Sequence, residues 1–126
     1  MTRLILALPV ALAALAPADA ARAGGADRPI AEIVTFRLAP GVTDPAFLDA
    51  ARATGALLAT EPGFLSRRLS KGADGAWTDH VAWTSLAEAQ AAATRIMTAP
   101  EAQPFLVAID PASIVMRHEP ILFAME

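Results

Sequence analysis

Apolar residues in this chain switch between alternate and helical spacing in one order: strand, helix, strand, strand, helix, strand. Ile30 to Leu38 reads as the first strand, and Ala39-Pro40-Gly41 closes it. Thr43 or Asp44 then caps a helix with Pro45 in its first turn, where a missing N–H costs nothing. Phe47, Leu48, Ala51, Gly55 and Leu58 fall on one side of that helix, and Glu61-Pro62-Gly63 stops it. Phe64 to Ser70 is a second strand and Lys71 to Ala76 a hairpin loop, with Asp74-Gly75 supplying residues that tolerate positive φ. Trp77 to Thr84 is a third strand that holds both tryptophans and one of the two histidines. Ser85-Leu86-Ala87-Glu88 is a capping box that opens a helix with Leu86, Ala89, Ala93, Ile96 and Met97 on one side. A short helix runs through Phe105 and Leu106 toward Ile109, and Ile114 to Phe123 is the last strand.

This order predicts an α+β domain of the split, ferredoxin-like β-α-β-β-α-β kind: an antiparallel four-stranded sheet with helices on one face. Two helices cover one face of such a sheet, so the other must be polar or buried by a partner. Alternation separates the faces. Val34, Phe36 and Leu38 oppose Ile33, Thr35 and Arg37, and Trp77, Asp79, Val81 and Trp83 oppose Thr78, His80, Ala82 and Thr84. Ile114, Met116 and His118 oppose Val115, Arg117 and Glu119. The second set is mixed rather than uniformly charged, which predicts a homodimer that pairs these faces.

The domain is expected to begin after a cleaved leader. Met1-Thr2-Arg3, an apolar run from Leu4 to Ala16 and small-x-small sites at Ala18-Asp19-Ala20 and Ala21-Arg22-Ala23 read as a secretory signal over residues 1–23. The run is short for a membrane span, and Pro9 interrupts it. Residues 24–29 would be a flexible leader, and residues 30–126 the domain. The expected location is periplasmic or secreted, with no stable membrane association after cleavage. Residues 24–126 carry eight basic against twelve acidic side chains, a net charge of −4, with Lys71 the single lysine. That balance argues against nucleic acid as a partner. Cysteine and tyrosine are absent, which excludes thiol catalysis, thiolate metal sites and a catalytic phenol.

The runs Ile33-Val34-Thr35-Phe36-Arg37-Leu38-Ala39-Pro40-Gly41-Val42, Phe47-Leu48, Glu61-Pro62-Gly63-Phe64-Leu65, Trp77-x-Asp79-x-Val81-x-Trp83-x-Ser85, Ile109-Asp110 and Met116-Arg117-His118 resemble the dimeric α/β-barrel superfamily. Within it the chain is most similar to antibiotic biosynthesis monooxygenase (ABM)-like proteins, over residues 30–123. The resemblance implies a homodimer with a pocket for a small apolar or aromatic molecule. It also implies possible activities that include cofactor-independent oxygenation and haem degradation. The family pattern places a tryptophan and an asparagine near the substrate, and this chain has no asparagine.

The candidate residues follow. His118 and His80 are candidate general bases for an acidic C–H or phenol. Trp83 would shape an apolar wall, and Arg37 or Arg117 would steady the anion formed. No metal site is expected, because the histidines show neither strand nor helix ligand spacing. No cofactor is expected either, with haem on one of the histidines as the alternative. A non-catalytic ligand-binding or structural dimer is the competing reading. Asp79 and His80, adjacent on one strand, point to opposite faces and do not pair. Asp79 is expected to be a structural hydrogen-bond acceptor.

Overall fold

A computed structural model describes residues 28–126; the expected signal and most of the leader lie outside the described residues. The strands are β1 (Ile30–Phe36), β2 (Phe64–Lys71), β3 (Trp77–Trp83) and β4 (Val115–Pro120). The helices are α1 (Asp44–Ala59), α2 (Leu86–Thr98) and the short α3 (Gln103–Val107), with 3₁₀ turns at Pro100–Ala102 and Pro111–Ser113. The sheet order is β2-β3-β1-β4 and every pairing is antiparallel. This is the expected α+β, ferredoxin-like sheet.

Local chemistry sets the element ends. Thr43 caps α1, its hydroxyl accepting from the Ala46 N–H at 3.3 Å. Ser85 caps α2 by accepting from the Glu88 N–H at 3.2 Å. The reciprocal half of the capping box is not made, since the Glu88 carboxylate accepts from the Thr84 and Ser85 hydroxyls instead. Gly63 has φ 83°, and a Cβ there would run into Glu88 and Thr84. That close approach lets the Gly63 carbonyl accept from the Thr84 N–H at 2.8 Å, which ties the start of β2 to the end of β3. Arg95 on α2 donates to Glu61 at 2.7 Å, and this bond raises the Arg95 pKa above its usual value.

The core lies between the sheet and the helices in two apolar clusters. Phe36, Phe47, Trp77, Ala108 and Ile109 form one, extended by Phe105. Phe47 is its hub, edge-on to Trp77 at 4.8 Å between centroids and stacked on Phe105 at 5.4 Å. Leu58, Val81, Trp83, Ala89 and Ala92 form the other, with Phe64 edge-on to Trp83 at 5.9 Å.

Some sequence expectations need correction. Leu86 and Met97 are exposed, and α2 buries Ala89 and Ala92: small residues let this helix lie close to the sheet. On α1, Thr54 is buried where a polar residue was not expected, because its hydroxyl donates to the Ala51 carbonyl at 2.7 Å. The first strand ends at Phe36, and Leu38 makes only an isolated bridge to Ile109. The last strand stops at Pro120, so Leu122 and Phe123 lie beyond it and are exposed.

The β4 edge follows from one hydrogen bond. The Ile121 N–H donates to the Pro29 carbonyl at 2.8 Å. In an antiparallel ladder that fixes the parity: Val115, Arg117 and Glu119 bond back to β1, while Met116, His118 and Pro120 turn their backbone outward. The N–H that Pro120 lacks is therefore one that would have faced outward, as expected for an edge strand.

Candidate functional site

One register row crosses the whole sheet on its helix-covered side: Arg67 opposite Val81, Val81 opposite Glu32, and Glu32 opposite His118. An ionisable pair stands near each end of this row, with the apolar Val81 between them.

At the β4 end, His118 Nε2 lies 2.8 Å from Glu32 Oε2. The His118 side chain is 25 % exposed and that of Glu32 is 12 %. A carboxylate only accepts, so Nε2 is the donor of this bond, and Nδ1 bonds to no other described residue. A histidine oriented in this way can take a proton at Nδ1 while the carboxylate stabilises the imidazolium that forms. The geometry arises because β1 and β4 are adjacent and in register, so residues 86 positions apart in sequence face one another.

At the β2 end, Arg67 grips Asp79 with two parallel bonds, Nε to Oδ1 at 2.9 Å and Nη2 to Oδ2 at 2.7 Å. Its Nη1 donates to the Ala51 carbonyl at 3.1 Å and to the Thr54 hydroxyl at 2.8 Å. The guanidinium also lies 5.3 Å from the centre of the Phe105 ring. The side chains are 12 % and 10 % exposed. Asp79 is a structural acceptor, as expected, but its partner is this strand arginine rather than a loop or helix end. The pair fastens β2 and β3 to the middle of α1.

The other candidates are dispersed. His80 is half-buried on the open face, opposite Ile33 and Arg68, and so on the far side of the sheet from His118. Trp83 is 1 % exposed in the second core cluster, and its Nε1 finds no acceptor among the described residues. Arg37 reaches the hairpin loop, donating to the Asp74 carbonyl at 2.9 Å. Arg117 lies on the open face with Glu119 at 3.6 Å. Neither arginine shares a site with His118. Glu32 was missed by the sequence reading although a signal was there: it alternates in phase with Ile30, Val34 and Phe36, so a charge sits on the buried face.

The described residues include two surface grooves. One, of about 250 Å³, is bounded by Leu48, Ala51, Gly55 and Leu69 at the outer side of α1 and β2. The other, of about 310 Å³, lies at the far end of the sheet by Arg37, Lys71, Asp44 and Trp77. Lys71 there is held by Asp44 at 2.7 Å. Neither groove touches His118 or Trp83. His118 Nε2 is engaged by Glu32, and neither of these grooves opens beside its ring. No cluster of metal-ligating side chains occurs among the described residues, and no helix there is long and apolar enough to cross a membrane.

No family model and no curated protein matches the sequence. Solved structures do match the fold. SnoaB, a cofactor-independent oxygenase from Streptomyces nogalater, superposes with a TM-score of 0.54 at 18 % identity, covering 79 % of this chain and 96 % of its own. A protein of Nitrosomonas europaea proposed to be an antibiotic biosynthesis monooxygenase gives 0.61 at 15 % identity, over 79 % and 96 %. A hydroxynitrile lyase from Passiflora edulis gives 0.55 at 17 % identity, over 79 % and 99 %. An oxygenase and a lyase on one scaffold show that the scaffold leaves the reaction open. The structural neighbours are ABM-like proteins of the dimeric α/β-barrel superfamily, and this chain has their fold.

Proposed function

We propose that the domain takes a proton from an acidic C–H or phenol of a small apolar or aromatic molecule, with His118 as base and Glu32 orienting it. The observation that carries this reading is the 2.8 Å Glu32–His118 pair, half-withdrawn from water on the helix-covered face. Dioxygen is the co-reactant. The proton of a substrate CH₂ goes to His118 Nδ1, and the carbanion gives one electron to dioxygen. The two radicals then join in a C–O bond, and the imidazolium returns the proton to give a hydroperoxide. Loss of water leaves a carbonyl, so that CH₂ and O₂ become C=O and H₂O. Both electron pairs come from the substrate, and no cofactor is required.

The domain acts in this reading as an exported homodimer. Support for export is the residue 1–23 pattern, and support for pairing is the open sheet face, where Ile33, Ala82 and Val115 accompany Thr35, Arg68 and Arg117. The second reading is a ligand-binding dimer without turnover, favoured by the fact that neither groove reaches His118.

An anthrone, which is an apolar C–H acid, separates the two. Under the enzymatic reading an oxygen electrode records one dioxygen consumed per anthrone, and His118→Ala slows this by about a hundredfold or more. Quenching of tryptophan fluorescence by the anthrone without oxygen uptake would leave the binding reading alone.

A further inference from the structure

Arg67 and Arg68 are neighbours on β2, and the alternation of a strand sends them to opposite faces of the sheet. Arg67, under the helices, donates to Asp79, the Ala51 carbonyl and Thr54. Arg68, on the open face, enters no ion pair and no side-chain hydrogen bond among the described residues. Its register partner is His80, which is likewise unbonded there. Side chains directly opposite on antiparallel strands have Cβ atoms about 5 Å apart, where an opposite charge is the stabilising neighbour of a cation. Here the neighbour of a permanent cation is an imidazole, which carries at least one N–H in either protonation state. Two donor-bearing side chains therefore stand side by side, with no hydrogen bond joining them and no acid between them.

The open face has no acid within reach of this pair. Glu119 is the one carboxylate among its strand residues, and it lies on β4 at the opposite edge of the sheet, three strand spacings or roughly 14 Å from β2. It is also beside Arg117, at 3.6 Å. The surroundings of Arg68 and His80 are polar on one side and apolar on the other. Ser66 and Ser70 flank Arg68 on β2, and Thr78 precedes His80 on the same face of β3. Ala82 follows His80 on that face, and Ile33 is opposite it on β1. Ala82 is buried, and Ile33 and His80 are half-buried, although no helix covers this face.

An anion satisfies this arrangement. A guanidinium fork matches a carboxylate with two parallel bonds, and an imidazole N–H or a neighbouring hydroxyl can add another. One permanent cation balances one negative charge, which favours a carboxylate over a phosphate. The hydrocarbon of Ala82 and Ile33, toward the middle of the sheet, suits an apolar remainder. We propose that the open face holds the carboxylate of a small apolar acid between Arg68 and His80, with the rest of the molecule over Ala82 and Ile33. The site is built from one chain and is separate from His118, which lies on the other face. β2 is an outer strand, so Arg68 stands at the margin of the face.

Calorimetric titration with 2-naphthoate at low salt tests the proposal, with 2-naphthamide as the uncharged counterpart. Ring-nitrogen NMR of the two histidines reports where the ligand sits, and the His80 signal is assigned by its loss in His80→Gln. The expected result is one 2-naphthoate per chain with the His80 signal moved. Binding should weaken by about tenfold or more for the amide, and by as much in Arg68→Gln. Arg117→Gln, at the other edge of the same face, should bind as the parent does. Arg68 is exposed and unpaired, so Arg68→Gln is expected to keep the parent's urea midpoint. Parental affinity in Arg68→Gln overturns the site, as does movement of the His118 signal alone. Equal affinity for the amide overturns the carboxylate, and so does 2-naphthyl phosphate binding tenfold tighter than 2-naphthoate. No heat and no shift at millimolar 2-naphthoate overturns the proposal outright.

Discussion

Arg67–Asp79 and Glu32–His118 both set a basic side chain against a carboxylate on the helix-covered face of one sheet, and they differ in how fully each is bonded. The guanidinium of Arg67 makes four hydrogen bonds to three partners and lies against Phe105. The imidazole of His118 makes one among the described residues, and Nδ1 is left over there. A saturated buried pair has no capacity left for a visitor, and its work is to fix β2 and β3 against α1. A pair with one unfilled nitrogen near a sheet edge can still exchange a proton. Burial and charge alone do not separate the two; the count of unfilled donors and acceptors does.

The sharpest way to break this contrast is to delete one partner at each end of the row. Arg67→Met leaves the Asp79 carboxylate buried without its cation, and urea unfolding is expected to show a loss of about 3–5 kcal/mol. The double change Arg67→Met with Asp79→Leu should recover most of that loss, because no buried charge is stranded. A cost under about 1 kcal/mol for Arg67→Met would remove the clamp.

Glu32→Gln tests the other end and should move stability less. An amide can still pair with the imidazole but no longer holds Nε2 as the donor, so oxygen uptake with the anthrone should fall by about a hundredfold or more. The unfolding midpoint should shift by no more than about 1 kcal/mol equivalent. If Glu32→Gln instead destabilises as Arg67→Met does while activity is unchanged, the pair is a second clamp.

The smallest effects are expected at Arg37 and Arg117, which lie outside both ends of the comparison. Their side chains are 54 % and 57 % exposed, and each is near an acidic neighbour in solvent. Alanine at either position should change stability by less than about 0.5 kcal/mol, as exposed ion pairs usually do, and leave anthrone quenching unaltered.

The fold was legible because its signals are local. Thr43 and Ser85 as caps, Pro45 in a first turn, Gly75 in the hairpin and the strict alternation through Trp77–Trp83 each act within a few residues. The site was legible only by half. His118 was a candidate, but its partner comes from the first strand, and nothing near either residue in sequence links them. The register of β1 against β4 does that, and register is a property of the assembled sheet. The phase of Glu32 with Val34 and Phe36 was the available clue, as the phase of Asp79 with Trp77 and Val81 was for its ion pair. The arginines misled for a related reason. Strand position gives the face of a side chain, but it does not say whether a neighbouring loop supplies an acid, as Asp74 does for Arg37.

Pro120 has a consequence for how copies of this protein meet at high concentration. The free side of the outermost strand lacks an amide hydrogen just where an incoming chain would need one to continue a cross-strand stack. Side-by-side polymerisation along that margin is therefore interrupted at its last rung, even though Ile114, Val115 and Met116 beside it present sticky hydrocarbon to solvent. A Pro120→Val form would restore the missing rung and should shed more fibrous material than the parent chain at equal concentration.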